Sequence, residues 1–331
     1  MADTFASIGP RLALARLSVA GCTPFLALVS GDRMQPLQRW RSAAGEALRG
    51  TGSSAALLAD WPHNAALLRH ATLGAGAAPL AGFKVHAPLQ PRHVYCTIGN
   101  YRAQVLEAAL DAEPPGTAAS RQARRDAVLA GLDQRRASGE PYAVVKPTST
   151  LSDPYGPLAV PPDQQTLDWE VEVGVVIGRT ARHVPAAQAL SCVAGYCTVN
   201  DITLRQRLFR TDLPAMGTDF LQAKGGPGWL PVGPWWVPAE AVPDPASLRL
   251  QLRLNGTPMQ DGRADDMVFG IAEQIAYLSR HVQLEPGDLV CTGSPAGFGQ
   301  HHRRFLHPGD RLEAEVIGLG AQCIELTAAP L

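Results

Sequence analysis

Two glutamates, Glu170 and Glu172, stand two positions apart in the run Asp168-Trp169-Glu170-Val171-Glu172-Val173-Gly174-Val175-Val176-Ile177-Gly178. The β-branched residues make this run a strand, and residues two apart on a strand project from the same face. Like charges side by side in an apolar strand are costly unless a cation neutralises them or one carboxyl keeps its proton. An exposed edge strand whose alternate residues face water meets the same pattern. A third acid, Asp201, follows 29 positions after Glu172, at the end of a second apolar run, Gly195-Tyr196-Cys197-Thr198-Val199-Asn200. A strand-terminal Asn-Asp is also a turn signal. Taken together, the three acids form an all-oxygen, hard donor set suited to Mg²⁺ or Mn²⁺ and compatible with Ca²⁺. Three protein ligands on an octahedral ion leave about three positions for water and a chelating substrate.

The elements that must position these acids follow from hydrophobic period. Short β runs at close spacing continue from Tyr142 to the end of the chain, with Leu248 to Leu254, Asp288 to Thr292 and Arg311 to Ile317 among them, and argue for a β-rich α+β domain. One helix is expected within it at Met267 to His281, where Met267, Ile271, Ile275 and Leu278 share a face. Ahead of it, Leu12 to Val19 and Pro24 to Val29 read as strands, and Gln38 to Leu73 as one or two helices broken at Gly50 to Ser54 and at Pro62. These make a small N-terminal α/β domain over residues 1–88, with the proline-rich His86 to Pro91 as linker and residues 89–331 as the larger domain. Residues 102–140 are helical in period and broken at Pro114-Pro115-Gly116, the pattern of a helical lid or of an ordinary surface helix pair.

The 29 Lys and Arg nearly cancel the 30 Asp and Glu, which leaves no basic face for a polyphosphate backbone, so nucleic acid is not an expected partner. Arg11 and Arg16 interrupt the early apolar stretch, no segment reaches membrane-spanning length, and a cytoplasmic protein is expected. The cysteines are scattered singly in apolar sequence, as suits reduced core thiols; Cys192 and Cys197 have four residues between them but lack a matching second pair for zinc.

Asp168-Trp169-Glu170-Val171-Glu172 followed by Asn200-Asp201 resembles the E-x-E and N-D metal motifs of the fumarylacetoacetate hydrolase superfamily. Further motifs agree in order and spacing: Lys224 after Gly217-Thr218-Asp219-Phe220, Pro231-Val232-Gly233-Pro234, Leu254-Asn255-Gly256 with Met259-Gln260, Pro286-Gly287-Asp288, Thr292 to Gly297, Pro308-Gly309-Asp310 and Gly318-Leu319-Gly320. The resemblance covers about residues 92 to 320. It implies a mixed β-roll, a homodimer, metal ligands Glu170, Glu172 and Asp201, and a small anionic keto-acid substrate. The implied chemistry is cleavage of carbon–carbon bonds next to carbonyls in acylpyruvates and β-diketo acids, with decarboxylases and isomerases among the relatives.

The resemblance also assigns the remaining candidates. Lys224 matches the catalytic lysine, Ser294 the threonine of T-G-T-P that holds a substrate carboxylate, and Arg205 a position behind the ligands that can bind substrate. Tyr101 belongs to the N-Y-x-x-H pattern and is expected beside substrate. That pattern departs at Asn100-Tyr101-Arg102-Ala103-Gln104, where Gln104 stands in place of the histidine that pairs with an acid at the position of Glu107 to activate water. Glutamine orients water but accepts no proton at neutral pH. Glu107 or a metal-bound hydroxide then supplies the base, or the reaction is a decarboxylation or isomerisation needing no activated water, or the chain binds metal and ligand without turnover. His301-His302-Arg303-Arg304 and His307 read as a solvated basic loop that could also replace the base. A serine nucleophile at Ser294 lacks the G-x-S-x-G elbow, and Gly74-Ala75-Gly76 lacks the third glycine of a dinucleotide loop.

Overall fold

The computed structural model describes residues 12–112, 116–163 and 165–329; Arg11, Pro114 and Pro115 lie outside them. Its centre is a six-stranded sheet in the order Val237–Pro238, Val193–Asn200, Val171–Ile177, Leu289–Cys291, Val94–Thr97 and Ala143–Lys146. The Leu289–Cys291 and Val94–Thr97 strands run parallel and the other neighbours antiparallel. The run carrying the two glutamates therefore lies inside a sheet and is buried along its whole length, which rules out the edge-strand reading.

Both faces of that strand are covered, and the covering follows its alternation. Val171, Val173, Val175 and Ile177 pack with Leu250, Leu252, Leu254, Leu312, Ala314 and Val316 of a five-stranded sheet, ordered Thr257–Arg263, Arg249–Leu254, Arg311–Val316, Gly320–Ala328 and Tyr155–Val160. The two sheets are pinned by Thr198, whose hydroxyl donates to the Gly320 carbonyl (2.7 Å) and accepts from the Val316 N–H (3.2 Å). On the other face Val176 joins Ala194, Cys197, Val199 and Trp236 against Leu14, Leu57, Leu58 and Trp61 of the N-terminal segment. The Trp61 and Trp236 rings meet at 4.8 Å.

The N-terminal segment contributes the five-stranded sheet Ala78–Pro79, Arg33–Pro36, Phe25–Ser30, Ala13–Ser18 and Lys84–His86. It is welded to the rest by reciprocal backbone bonds between Leu14 and Trp236 (2.8 and 2.9 Å). Between Gln38 and Ser53 the expected helix does not form beyond the single turn Leu37–Arg39; the helices are Ser54–Ala59 and Trp61–Leu68. Ser53 caps the first by accepting from the Ala56 N–H, and Pro62 opens the second, a position where its missing N–H costs nothing. The Met267 to His281 helix begins only at Ile271, because Gly270 is its N-cap and Met267 closes a preceding 3₁₀ turn. Helices Arg102–Asp111 and Ala118–Ser138 occupy the stretch read as a lid. Among the cysteines Cys22 is exposed and Cys323 half-buried, against the expectation of core thiols throughout; all are free.

No helix among the described residues is long and apolar enough to cross a membrane.

A polar chain ties the two parts together: Ser18 Oγ lies 2.8 Å from His86 Nε2, and His86 Nδ1 lies 3.1 Å from Asp153 Oδ2. Asp153 also accepts from the Ala87 N–H (3.0 Å) and faces Lys84 (3.1 Å). Burial raises the Asp153 pKa, but the Ala87 N–H and the Lys84 ammonium outweigh it and hold the carboxyl below its ordinary value. Its stabilising contribution is therefore present above the ordinary carboxylate pKa of about 4 and is lost as pH falls through the depressed folded value. Asp153→Ala should lower stability by about 1–3 kcal/mol at neutral pH, and the gap from the parent in denaturant unfolding should close as pH drops below about 4. A gap independent of pH would assign the loss to packing.

Candidate metal centre and substrate pocket

The acids are brought together by register. In the antiparallel pair, Val171 stands opposite Asn200 and Glu172 opposite Val199, so the chain positions just beyond the pair, Glu170 and Asp201, face each other. The Asp201 N–H donates to the Glu170 carbonyl (2.8 Å), and the Asn200 amide oxygen accepts from the Glu170 N–H (2.9 Å). This is what the Asn-Asp pair does here: it locks two strand ends rather than merely turning the chain. One oxygen from each of Glu170, Glu172 and Asp201 lies within 4.8 Å of the others, and all three residues are buried.

Cations surround the cluster. The Lys224 ammonium donates to Glu170 Oε2 (3.0 Å), Asp201 Oδ2 (2.6 Å) and Thr203 Oγ1 (2.7 Å). Lys146, on the edge strand and wholly buried, donates to Asp201 Oδ1 (2.6 Å) and the Ile202 carbonyl (3.1 Å). Arg205 pairs with Glu170 Oε1 (2.7 Å) and Asp168 Oδ2 (2.8 Å), with its guanidinium over the Phe298 ring at 4.4 Å. Its Nη2 is buried without a partner. Asp168 is itself held by the N–H groups of Trp169, Gly299 and Gln300.

Four carboxylates thus meet three cations, and the unbalanced charge falls on Glu172. Among the described residues it forms no ion pair and accepts only the Gly293 N–H (2.8 Å). Burial first, then the Asp201 and Glu170 charges, push its pKa well above the ordinary range, and Lys224 offsets them only in part. Asp201 behaves oppositely: burial raises it, but Lys146 and Lys224 win and bring it down to about 2. Lys224 is held charged, since the pull of Asp201 and Glu170 exceeds the desolvation that opposes it. The donor set fits a hard divalent ion on two counts. Oxygens around an octahedral Mg²⁺ lie about 3 Å apart in cis and about 4 Å in trans, within the spacing observed, and the Glu172 carboxyl is the one acid whose charge the protein leaves without a cation.

The Thr292 to Gly297 loop closes the site from the side. Gly293 has φ +89°, and a Cβ there would stand 3.0 Å from Asn100 Cβ and 3.2 Å from the Thr97 carbonyl, so the N–H that reaches Glu172 requires glycine. Ser294 lies in the pocket wall, but its hydroxyl donates to the Val171 carbonyl (2.9 Å) and accepts from Gln260 Nε2 (2.9 Å). Its donor holds the loop on the glutamate strand. Gln260 also accepts from the Val171 N–H (3.1 Å), which gives the Met259-Gln260 motif its purpose.

A cavity of about 340 Å³ opens onto this cluster. Glu170, Arg205 and Lys224 reach it from the inner end, and Gln104 stands in its wall from the Arg102–Asp111 helix. Two expected neighbours do not line it. Tyr101 is wholly buried behind the Gly293 loop, where a Cβ on Gly293 would stand 3.7 Å from its ring and where burial and the Glu172 charge push its pKa up. Glu107 leaves the cavity lined by Gln104 and instead accepts from the Gly297 N–H (2.8 Å) beside His301 (3.5 Å). His301 is not in a free loop: it sits on the Gly299–His302 helical turn with Nδ1 2.7 Å from Asp111. Sequence reasoning missed Lys146 and the charge of Asp168. The signal for Lys146 was a lone lysine ending the apolar run Tyr142 to Val145.

With this geometry in view, the family model for the C-terminal domain of fumarylacetoacetate (FAA) hydrolase matches residues 93–327. The chain belongs to the fumarylacetoacetate hydrolase family. A curated relative, 2,4-didehydro-3-deoxy-L-rhamnonate hydrolase from Sphingomonas sp. (strain SKA58), is 40% identical over 186 residues, 55% of this chain and 64% of the relative. The match thus spans less than two thirds of that protein. The fumarylacetoacetate hydrolase of psychrophilic Exiguobacterium antarcticum superposes with a TM-score of 0.73 at 23% identity, covering 96% of this chain and 100% of that one. The 2-hydroxyhepta-2,4-diene-1,7-dioate isomerase of Mycobacterium marinum does so with a TM-score of 0.66 at 22% identity, covering 97% and 100%. At these identities the likeness is one of fold, and the same fold carries a hydrolase and an isomerase.

Lys146→Met should cost about 3 kcal/mol or more, because it strips Asp201 of one of its two cations in a dry site. Chemical denaturation reads this directly; a loss under about 1 kcal/mol would show that Lys224 alone balances Asp201.

Proposed function

We propose that this family member is a divalent-metal-dependent hydrolase that cleaves a carbon–carbon bond of an acylpyruvate or β-diketo acid. The observation that carries the reading is the buried Glu170, Glu172 and Asp201 cluster, with Glu172 lacking a cation, at the inner end of a cavity that also presents Arg205 and Lys224. Mg²⁺ or Mn²⁺ held by the three acids would supply Lewis acidity to a chelating 2-oxo acid and stabilise enolate charge. Adding a divalent ion to four carboxylates and three cations turns the local charge from −1 to +1, which suits one substrate carboxylate. The unpartnered Nη2 of Arg205 is the donor best placed to meet it.

In this role Lys224 neutralises negative charge developing on the substrate oxygen nearest Thr203, and Gln104 orients the water that adds to the acyl carbon. The bond to the α-carbon then breaks, its electron pair leaves as the enolate of pyruvate, and a proton returns to that carbon. Glu107, three residues after Gln104 on the same helix, accepts the proton of the water only once the helices Arg102–Asp111 and Ala118–Ser138 move as a lid and free it from Gly297. A second reading is favoured by Gln104 itself: with no histidine among the described residues of the cavity wall, decarboxylation or enol–keto isomerisation of a 2-oxo acid has the advantage of needing no activated water.

The face beside the cavity supports a homodimer. Phe209, Leu213, Met216 and Leu221 are exposed, and Val145 is exposed on the edge strand of the six-stranded sheet. Light scattering should give twice the chain mass, and Met216→Asp with Leu221→Asp should halve it; a parent of single-chain mass would refute the pairing.

Glu172→Ala should abolish Mn²⁺ binding in a titration and all turnover on acylpyruvates or oxaloacetate, whereas a variant that still turns over without metal would exclude this chemistry. Gln104→His should raise acylpyruvate kcat/KM by about 10²-fold or more if hydrolysis lacks only its base. If it leaves decarboxylation or isomerisation flat or lower while hydrolysis appears, the second reading holds.

A further inference from the structure

The cavity is divided by burial into two unlike ends. Its inner wall is charged and buried: Glu170, Lys224 and Thr203 are 6, 2 and 0% exposed. Its outer wall is partly or fully exposed and apolar, built from Leu208, Phe209, Phe220 and Phe298, with only the amides of Gln104 and Gln300 for polarity. Of the two cations of the lining, Lys224 is at the inner end, paired with Glu170 and Asp201, and Arg205 stands where the two ends meet, paired with Asp168 and Glu170 and stacked on Phe298, with only its Nη2 open.

Resting on the proposed 2-oxo acid reading, we infer that the outer wall is a distal subsite for an apolar, ring-sized substituent, so that the substrate is a monocarboxylate such as an aroylpyruvate rather than a dicarboxylate or a sugar acid. A second carboxylate at that end would lie against four hydrophobic side chains, and the one open donor nearby, Arg205 Nη2, is taken by the first carboxylate, so its desolvation would be costly. The charges beside this rim make it worse: Glu107 and Asp111 stand on the Arg102–Asp111 helix with only His301 between them. Arg210, on the segment that carries Phe209, is occupied by Asp212 and Asp219. A polyhydroxylated chain would find two amides for its several hydroxyls and leave the rest unpaired. A planar apolar group, in contrast, meets three phenylalanine rings, and Phe298 is itself held in place by the Arg205 guanidinium stacked on it. The single carboxylate then belongs at the inner end, where the charge count with a divalent ion is +1.

N-substituted oxamates keep the chelating 2-oxo acid end, carry no cleavable carbon–carbon bond of the proposed kind, and vary only the distal group. Calorimetric titration of the Mn²⁺-loaded protein should show N-phenyloxamate binding at least tenfold more tightly than oxalylglycine, its counterpart with a distal carboxylate. Leu208→Arg should reverse the order by weakening the phenyl compound and strengthening the acid. Oxalylglycine binding equally or better in the parent overturns the inference, as does oxalate binding while neither oxamate does. If oxalate fails too, the fault lies in the proposed metal and 2-oxo acid reading, and the distal assignment falls with it. An order unchanged by Leu208→Arg removes Leu208 from the subsite and contradicts the wall described.

Discussion

Four carboxylates, Asp168, Glu170, Glu172 and Asp201, are buried within one region of this protein, and keeping them there is the constraint on which the rest of the structure depends. Isolated charges in a dry interior cost several kcal/mol each. Lys146, Lys224 and Arg205 answer three of them through short, directional contacts. These three cations arrive from different parts of the chain: an edge strand, a short helix after a long loop, and a 3₁₀ turn following Asp201. The fold has to hold all of them against the same two strand ends.

The central sheet does this by leaving its strands no freedom of register. A one-residue slip of the glutamate strand would turn Glu172 into the valine-lined interface with the second sheet and expose that valine face to the acids. Register is fixed by covering both faces, by Thr198 bridging the sheets and by Asn200 receiving the Glu170 N–H. The N-terminal segment is part of this device, since its Leu57, Leu58 and Trp61 cover the back of the sheet. The helices Arg102–Asp111 and Ala118–Ser138 pack on Val268 and Phe269 through Val105, Val128, Leu129 and Leu132, and reach the Thr292 to Gly297 loop through Glu107, which accepts from the Gly297 N–H.

Much of the centre was legible in the sequence because strand alternation and the Asn-Asp strand end obey short-range rules: Glu170, Glu172 and Asp201 converge as their spacing implies. What failed to show was long-range. Lys146 is 55 positions from Asp201, and the lone lysine at the end of the Tyr142 to Val145 run does not by itself say which acid it meets. That Ser294 donates to the Val171 carbonyl and that Tyr101 packs behind the Gly293 loop are likewise decided by tertiary packing rather than by motif. Glu107 and Gln104 illustrate the limit of helical spacing: three residues apart they are neighbours, yet one faces the cavity and the other the Gly297 loop. Gly270 and Pro62 moved helix boundaries in ways that capping rules explain once the ends are seen.

The central claim is that three of the buried acids are ligands to one divalent ion. A crystal soaked in Mn²⁺ and measured for anomalous scattering tests it most directly. The account predicts a single strong peak about 2 Å from oxygens of Glu170, Glu172 and Asp201 alike, with Lys224 Nζ still within reach of Thr203. A peak bonded to fewer than two of the three acids, or a map without a peak at that cluster at saturating Mn²⁺, would contradict it.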